Sequence, residues 1–431
     1  MLRHFTAKLK RFFKNHPLGI LAGEVKSFVF NAPRELNKLE RRFISLKPEG
    51  TLRGHVLLCY ENKAFLLKPG ERVPNDHTNR WEALEIAKTF RELGYQVDVI
   101  GENNDRFMPA KEYSVFVGNR INFDRIAKAL TGNCLKILHI DTAHWLFNNT
   151  AEHQRLLALQ QRRHVTLPAR RSLKPNFAIE YADCATLLGN DFTISTYRYA
   201  NKTMYRLPIS APMTYDWPED KNFERSRKHF LWFGSAGFVH KGLDLVLEAF
   251  AETPEYHLTI CGPLGKEKEF TRAYREMLYE LPNIHTEGWV DVSSSRFVEI
   301  SKRCIALIYP SCSESGGGSV INCMHAGLIP IVSREASVDV DGFGFTLMKC
   351  SIEAIKRAVQ IVAGLPSEEL EARARSSWDY ARTHHTREIF AREYRKAISE
   401  IFTRFDTKEA SLERTAISRS FAQPSSQPLE S

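Results

Sequence analysis

The stretch richest in chemistry is Ile308-Tyr309-Pro310-Ser311-Cys312-Ser313-Glu314-Ser315-Gly316-Gly317-Gly318-Ser319-Val320-Ile321-Asn322. It reads as an apolar strand, a glycine run and the start of a helix. Glycine lets backbone approach a ligand closely, and the first amides of a helix offer unpaired N–H groups at the positive end of its dipole. Gly316, Gly317, Gly318 and Ser319 therefore suit a pyrophosphate, and Glu314 can accept hydrogen bonds from sugar hydroxyls. A flexible loop with a surface glutamate is the plain alternative. Ser319 also suits a helix N-cap, a role compatible with ligand contact. A second candidate, His139-Ile140-Asp141-Thr142-Ala143-His144-Trp145, closes an apolar strand, and open α/β sheets place ligands at the carboxyl ends of their strands.

The elements that must position these residues alternate. His55 to Tyr60 reads as a buried strand, and Asn79 as the cap of a helix with Glu82 as its capping-box partner. Trp81, Leu84, Ala87, Phe90 and Leu93 form that helix's apolar face, and Gly94 stops it. Strands follow at 96–100, 114–117, 135–140 and 182–188. Pro208, Pro212 and Pro218 mark a break. The pattern then restarts with a strand at 230–233, a loop to Lys241-Gly242 and a helix bearing Leu243, Val246, Leu247 and Phe250. Further strands are expected at 258–261, 284–285, 305–309 and 329–332, with helices over 266–281, 351–364 and 366–404. Such alternation predicts an α/β fold of two parallel sheets, each with helices on both faces. The boundaries are an N-terminal helix and linker over 1–50, a first domain over 51–212 and a linker over 213–228. A second domain covers 229–384, a helix over 385–405 returns to the first, and 406–431 is a disordered tail. The late helix presents Phe390, Tyr394, Ile398 and Phe402 on one face.

Composition narrows the class. The 431 residues are 43% apolar and 26% charged, with net charge +9. That excludes fibrous and wholly disordered chains, and no charge-free apolar run reaches the length of a membrane span. Arg3, Lys8, Lys10, Arg11 and Lys14 lie in the first 16 residues with no acid among them. Opposite them Leu2, Phe5, Leu9, Phe12 and Phe13 recur at helical spacing. This is a basic amphipathic helix fit for an anionic membrane surface, or else for packing on the protein's own surface. Nucleic acid is a poor partner, because no binding motif appears and the rest of the chain is near neutral. A second basic run, Arg155 to Lys174, fits either an anionic acceptor or a solvated helix face. The eight cysteines form no CxxC pair and no zinc spacing, so a reducing cytoplasmic setting is expected. No signal peptide is expected, since the apolar run Leu18 to Ala22 is short and is followed by Glu24 and Lys26.

In order, Pro310-Ser311, Glu314, Gly317, Met324, Gly327 and Pro330-Ile331-Val332-Ser333 resemble the C-terminal domain of the family-4 type of GT-B glycosyltransferases (glycosyl transferase group 1). Lys241-Gly242, Gly262-Pro263, Glu287-Gly288-Trp289-Val290 and, in the first half, Ala182-Asp183 are similar to further family segments. The resemblance spans about 54–400 and is strongest over 230–335. It implies two Rossmann-like domains facing across a cleft, and transfer of a sugar, with retention, from a nucleotide-diphospho-sugar to a hydroxyl acceptor. The acceptor would be a glycan or lipid-linked molecule in polysaccharide or glycolipid synthesis, and neither metal nor cofactor is implied. It assigns Lys241 to the donor phosphates, Glu314 to the sugar and Asn322 to the ribose. Gly234, Ser235, Gly316, Gly317, Gly318, Ser319 and Val320 are assigned to donor binding. His144 is the expected catalytic histidine, with Asp141 next to it, and His77 and Asn79 are expected on the acceptor side. Two positions depart from the pattern: Ser235 stands where the family often has Arg, and Asn322 where it has a second carboxylate. These departures favour an alternative, a degenerate member that binds a glycan, lipid or protein without catalysis.

Overall fold

The computed structural model describes residues 41–421, with side-chain surroundings for 41–405. The basic helix expected over 1–16, and the linker as far as residue 40, lie outside the described residues. Two sheets form. The first has the order β1-β3-β2-β4-β5-β6-β7. Its strands are β1 (Ile44–Leu46), β2 (Gly54–Tyr60), β3 (Tyr95–Gly101), β4 (Val115–Gly118), β5 (Leu135–Ile140), β6 (Cys184–Leu188) and β7 (Thr203–Leu207). The short edge strand β1 runs antiparallel to β3, and the other pairings are parallel. In the second sheet the order is β10-β9-β8-β11-β12-β13, parallel throughout. It is built from β8 (His229–Phe233), β9 (His257–Cys261), β10 (Ile284–Gly288), β11 (Ala306–Tyr309), β12 (Ile329–Ser333) and β13 (Phe345–Leu347).

Parallel strands covered on both faces read as continuous apolar runs, which is why β2, β8 and β11 are legible in the sequence. Their side chains alternate between cores. Val56, Leu58 and Tyr60 point into one cluster while Leu57 and Cys59 point into another. In β11, Leu307 and Tyr309 share the cluster of Val56, and Ala306 and Ile308 belong to a third. One core thus runs from the first sheet to the second. Each fully buried side chain of this size contributes roughly 1.5–3 kcal/mol.

Each sheet has a switch point, where the chain leaves one side of its first strand and continues on the other. In the first sheet it lies between β2 and β4, in the second between β8 and β11. Ligands of open α/β sheets bind outside the carboxyl ends of such strand pairs.

Several expectations need correction. The helix over 79–92 is capped by Thr78 without a side-chain bond, so Asn79 is its first residue. Glu82 is no capping-box partner: it is fully buried and accepts a hydrogen bond from Ser210 Oγ (2.8 Å). The charged helix over 266–281 is two short ones, Lys268–Ala273 and Arg275–Tyr279. That over 366–404 breaks at His385 and Thr386, where Thr386 pairs with Ala211 in an isolated bridge. Its second part, Arg387–Phe421, replaces the start of the expected disordered tail. Phe390 meets Trp81 edge-on at 5.9 Å, and Phe402 lies 5.8 Å from Tyr95, so this helix packs on the first unit.

The basic run is largely a seam between the units rather than a solvated face. Leu159 of the Trp145–Arg163 helix and Leu167 beyond it are buried in the second unit's core. Arg162 pairs with Asp244 (2.8 Å) and Glu248 (3.1 Å), and Arg155 donates to the Pro310 carbonyl (3.0 Å). Among the described residues, no helix is long and apolar enough to cross a membrane. All eight cysteines are free thiols.

Candidate functional site

The loops after β8 and β11 leave adjacent strands at the second switch point, so their side chains converge. Gly242 makes the first loop's turn. Its φ is +73°, and a Cβ there would sit 2.5 Å from the Pro310 carbonyl oxygen. That close fit carries Lys241 against β11. The Lys241 ammonium donates to Tyr309 Oη (2.8 Å) and forms a very short ion pair with Glu314. Tyr309 Oη donates to Glu314 Oε1 (2.9 Å), as does Ser311 Oγ (3.2 Å). All three bonds reach Oε1, and Oε2 takes none of them. Burial on its own would raise the Glu314 pKa, but the Lys241 cation, with His240 and Arg171, outweighs it and holds the carboxyl at about 2. Glu314 is therefore ionised at neutral pH and is no general acid. Burial likewise lowers His240 to about 4, so its ring is neutral there.

The glycine run divides its work in a way the sequence does not reveal. Gly316 and Gly317 have φ of +79° and +48° and pack tightly. A Cβ at Gly316 would meet Ile209 Cδ1 at 2.4 Å, and one at Gly317 would meet Val338 Cγ2 at 2.6 Å. Neither lines the cleft, and Val320 is fully buried in the core. These three are structural, contrary to the donor-binding expectation. Gly318 and Ser319 do line it, and a Cβ at Gly318 would face open space. They open the Gly318–His325 helix, where amide groups have no intrahelical partner. Asn322, one turn on, lines the cleft too. Its Nδ2 donates to the Gly318 carbonyl (2.9 Å), while its buried Oδ1 has no partner.

The cleft, about 470 Å³, joins both switch points. On the second unit's side it is lined by Gly234, Ser235, Lys241, Glu314, Gly318, Ser319 and Asn322. On the first unit's side stand His77, Asn79 and Asp141. Asp141 is ion-paired with Arg120, which follows β4. His144 is not there. It caps the Trp145–Arg163 helix, its Nδ1 accepting from the Leu146 amide (3.3 Å) and its Nε2 lying 3.1 Å from Tyr199 Oη. The strand end does face the cleft through Asp141 and Thr142, whereas His144 serves the helix start and does not line it.

Sequence reasoning passed over several lining groups. Tyr309 ends β11, and its buried hydroxyl bridges Lys241 and Glu314. A hydroxyl at the carboxyl end of an otherwise aliphatic buried strand was the available signal. In the first unit Tyr60, Glu82 and Glu102 line the cleft. The hydroxyl of Tyr60 is buried without a partner. Burial raises both Glu82 and Glu102 to about 7. At the opposite end, Trp289 is 52% exposed. It borders both this cleft and an adjoining hollow of about 410 Å³ lined by Gly262, Pro263 and Gly265.

Comparison with known proteins bears on the fold and on the second unit. Residues 216–375 match the family model described as Glycosyl transferases group 1. No curated protein matches the sequence. Among solved structures, sucrose-phosphate synthase from Thermosynechococcus elongatus matches at 12% identity and TM-score 0.56, covering 81% of this chain and 100% of that one. HepE from Anabaena, in complex with UDP and glucose, matches at 10% identity and TM-score 0.51, with coverage of 81% and 100%. TarM, which is from S. aureus, matches at 11% identity and TM-score 0.46, and the match spans 68% of this chain but only 54% of that one. The chain has the GT-B fold of glycosyltransferases: two Rossmann-like α/β units, the second of which carries the group 1 sequence pattern.

Proposed function

We propose that this chain, whose second unit matches the group 1 glycosyl transferases, moves a sugar from a nucleotide-diphospho-sugar to a hydroxyl acceptor, with retention. The observation that carries the reading is the meeting of Lys241, Glu314, Gly318, Ser319 and Asn322 in one cleft at the second switch point. The diphosphate would lie between the Lys241 ammonium and the start of the Gly318–His325 helix, where a cation and a helix dipole act together. Charge develops on the leaving diphosphate as the glycosidic bond breaks, and groups already aimed at it cost no reorganisation. Glu314, ionised and anchored through Oε1, has Oε2 to accept from sugar hydroxyls. Asn322 Oδ1, buried without a partner, would take a ribose hydroxyl. The nucleobase would rest on exposed Trp289 and the adjoining hollow. No metal or cofactor enters this scheme.

The acceptor would enter from the first unit's side, past His77, Asn79 and Asp141. That end offers Glu82, Glu102 and the unpartnered Tyr60 hydroxyl, with Arg120 already paired to Asp141. Such a surface suits a hydroxyl-rich glycan better than a phosphate, and the anionic acceptor considered from the basic run loses support because most of that run joins the units. Polysaccharide or glycolipid synthesis at an anionic membrane surface, reached through residues 1–16, is the setting we favour.

Isothermal titration of the full chain with UDP, GDP and ADP tests the reading. The HepE complex makes UDP the first to try. Binding that is lost in Lys241→Ala supports the site. Binding with no release of nucleoside diphosphate from any nucleotide-sugar would instead favour the degenerate binding protein that Ser235 and Asn322 suggest.

A further inference from the structure

The charges at the donor site do not balance a diphosphate. The loop from Gly234 to Lys241 contains one permanent cation, Lys241, and Glu314 already neutralises it. Ser235 brings none. A helix N-terminus supplies the equivalent of about half a charge, against the two or more negative charges of a diphosphate. A further cation is needed, and the cleft contains one that comes from the other unit.

Arg171 follows the Trp145–Arg163 helix and lines the cleft beside Lys241, Glu314 and Ser319. Its backbone is fixed by polar groups of that helix, of which Asn148 and Glu152 are buried. Glu152, 2% exposed, accepts from the Arg170 amide (2.8 Å) and the Arg171 amide (2.7 Å) through one oxygen, and from Ser172 Oγ (3.0 Å) through the other. Asn148 donates to the Arg171 carbonyl (2.9 Å). Asn149 accepts from the Leu173 amide (2.8 Å) and donates to the Leu173 carbonyl (2.8 Å). A buried carboxylate spent on two successive amides and a hydroxyl holds this turn in one conformation.

The side chain is also placed. Its stem crosses Gly237, in the same loop as Ser235 and Lys241: a Cβ at Gly237 would lie 2.6 Å from Arg171 Cγ and 3.0 Å from Cδ. From there its charge reaches Glu314, Lys241, His240 and Tyr309. Neighbouring cations are committed: Arg162 to Asp244 and Glu248, Arg163 to the Ala273 carbonyl, Arg170 to Glu269. The Arg171 guanidinium has no hydrogen bond or ion pair among the described residues, and the residue is exposed to the cleft.

We propose that Arg171 is a donor-binding residue that grips the diphosphate of the nucleotide-sugar, supplying from the first unit the cation that the loop after β8 lacks. The inference rests on the nucleotide-sugar reading above. A planar guanidinium can bond two phosphate oxygens at once, which a lysine cannot. Because Arg171 and Lys241 come from different units, the diphosphate would tie the two walls of the cleft together.

Titrations with UDP, GDP and ADP and with the matching nucleosides, using the full chain, test this. Arg171→Ala should weaken the best-bound diphosphate by about 10- to 100-fold, the loss expected of a hydrogen bond to a charged group. Nucleoside affinity and the melting temperature should stay as in the parent, and Arg171→Lys should recover part of the loss. Diphosphate affinity unchanged in Arg171→Ala but lost in Lys241→Ala would overturn the inference and leave the donor reading standing. Equal losses for diphosphate and nucleoside would also overturn it, since they would mark a structural role. A parent protein that binds none of the three diphosphates would remove the donor reading, and this inference with it.

Discussion

Replacing Glu314 by Gln perturbs the centre of the site in a way whose size follows from its surroundings. The carboxyl has a pKa of about 2 against an ordinary 4.5. That gap corresponds to roughly 3 kcal/mol, at 1.36 kcal/mol per unit. A depressed folded-state pKa stabilises the protein above the unfolded value, and the contribution fades as pH falls from about 4.5 toward 2. At neutral pH, Glu314→Gln also leaves the Lys241 ammonium, 4% exposed, without its counter-charge. Breaking a buried pair on one side costs about 3–5 kcal/mol. Urea unfolding followed by tryptophan fluorescence is a suitable assay, because Trp232 is fully buried in the second unit. The variant should be about 3 kcal/mol less stable than the parent at pH 7, and the two should approach each other by pH 3. Lys241→Met added to Glu314→Gln should regain part of the loss. Parallel stability curves for parent and variant from pH 7 to pH 3 would refute the reasoning, for they would mean that the Glu314 charge is not coupled to folding.

The glycine run gives a paired test. Gly316→Ala forces a side chain into the left-handed region against Ile209 and should cost about 1–3 kcal/mol, whereas Gly318→Ala should leave the melt unchanged and weaken nucleotide binding. At the seam between the units, Arg162→Met strands Asp244, which is fully buried, and should cost about 3–5 kcal/mol in urea, with Asp244→Asn restoring part of it. Deleting residues 1–16, which hold five cations and no acid, should reduce co-sedimentation with anionic vesicles and leave the melt unchanged.

Much of this architecture was legible because parallel strands buried on both faces must be continuously apolar. β2, β8 and β11 show themselves in that way. Three strands were not: β1 is a short antiparallel edge, β13 is three residues long, and β7 mixes Thr203, Tyr205 and Arg206 with its apolar residues. No Gly or Pro stands at His385 and Thr386, where one helix ends and the next begins. At the site, Lys241, Glu314, Ser319 and Asn322 could be read from a strand, a loop and a helix start. What escaped was whatever depends on partners far along the chain. Gly316 needs its freedom because of Ile209, more than a hundred residues earlier. His144 was drawn into capping by the helix it precedes. Arg171 matters only because the turn after one unit's helix lies on the other unit's loop.

The central claim is that the cleft breaks the bond between a sugar and a nucleoside diphosphate. It is tested most directly by the rate of nucleoside diphosphate release from a panel of UDP-, GDP-, ADP- and dTDP-sugars incubated with the full chain. Release should be found with at least one of these donors, should fall by about 100-fold or more in Glu314→Gln as expected for losing a charged contact at the reacting sugar, and should fall with weaker donor binding in Lys241→Ala. Release that proceeds undiminished in both variants would contradict the account, as would its absence with every donor while the protein remains folded.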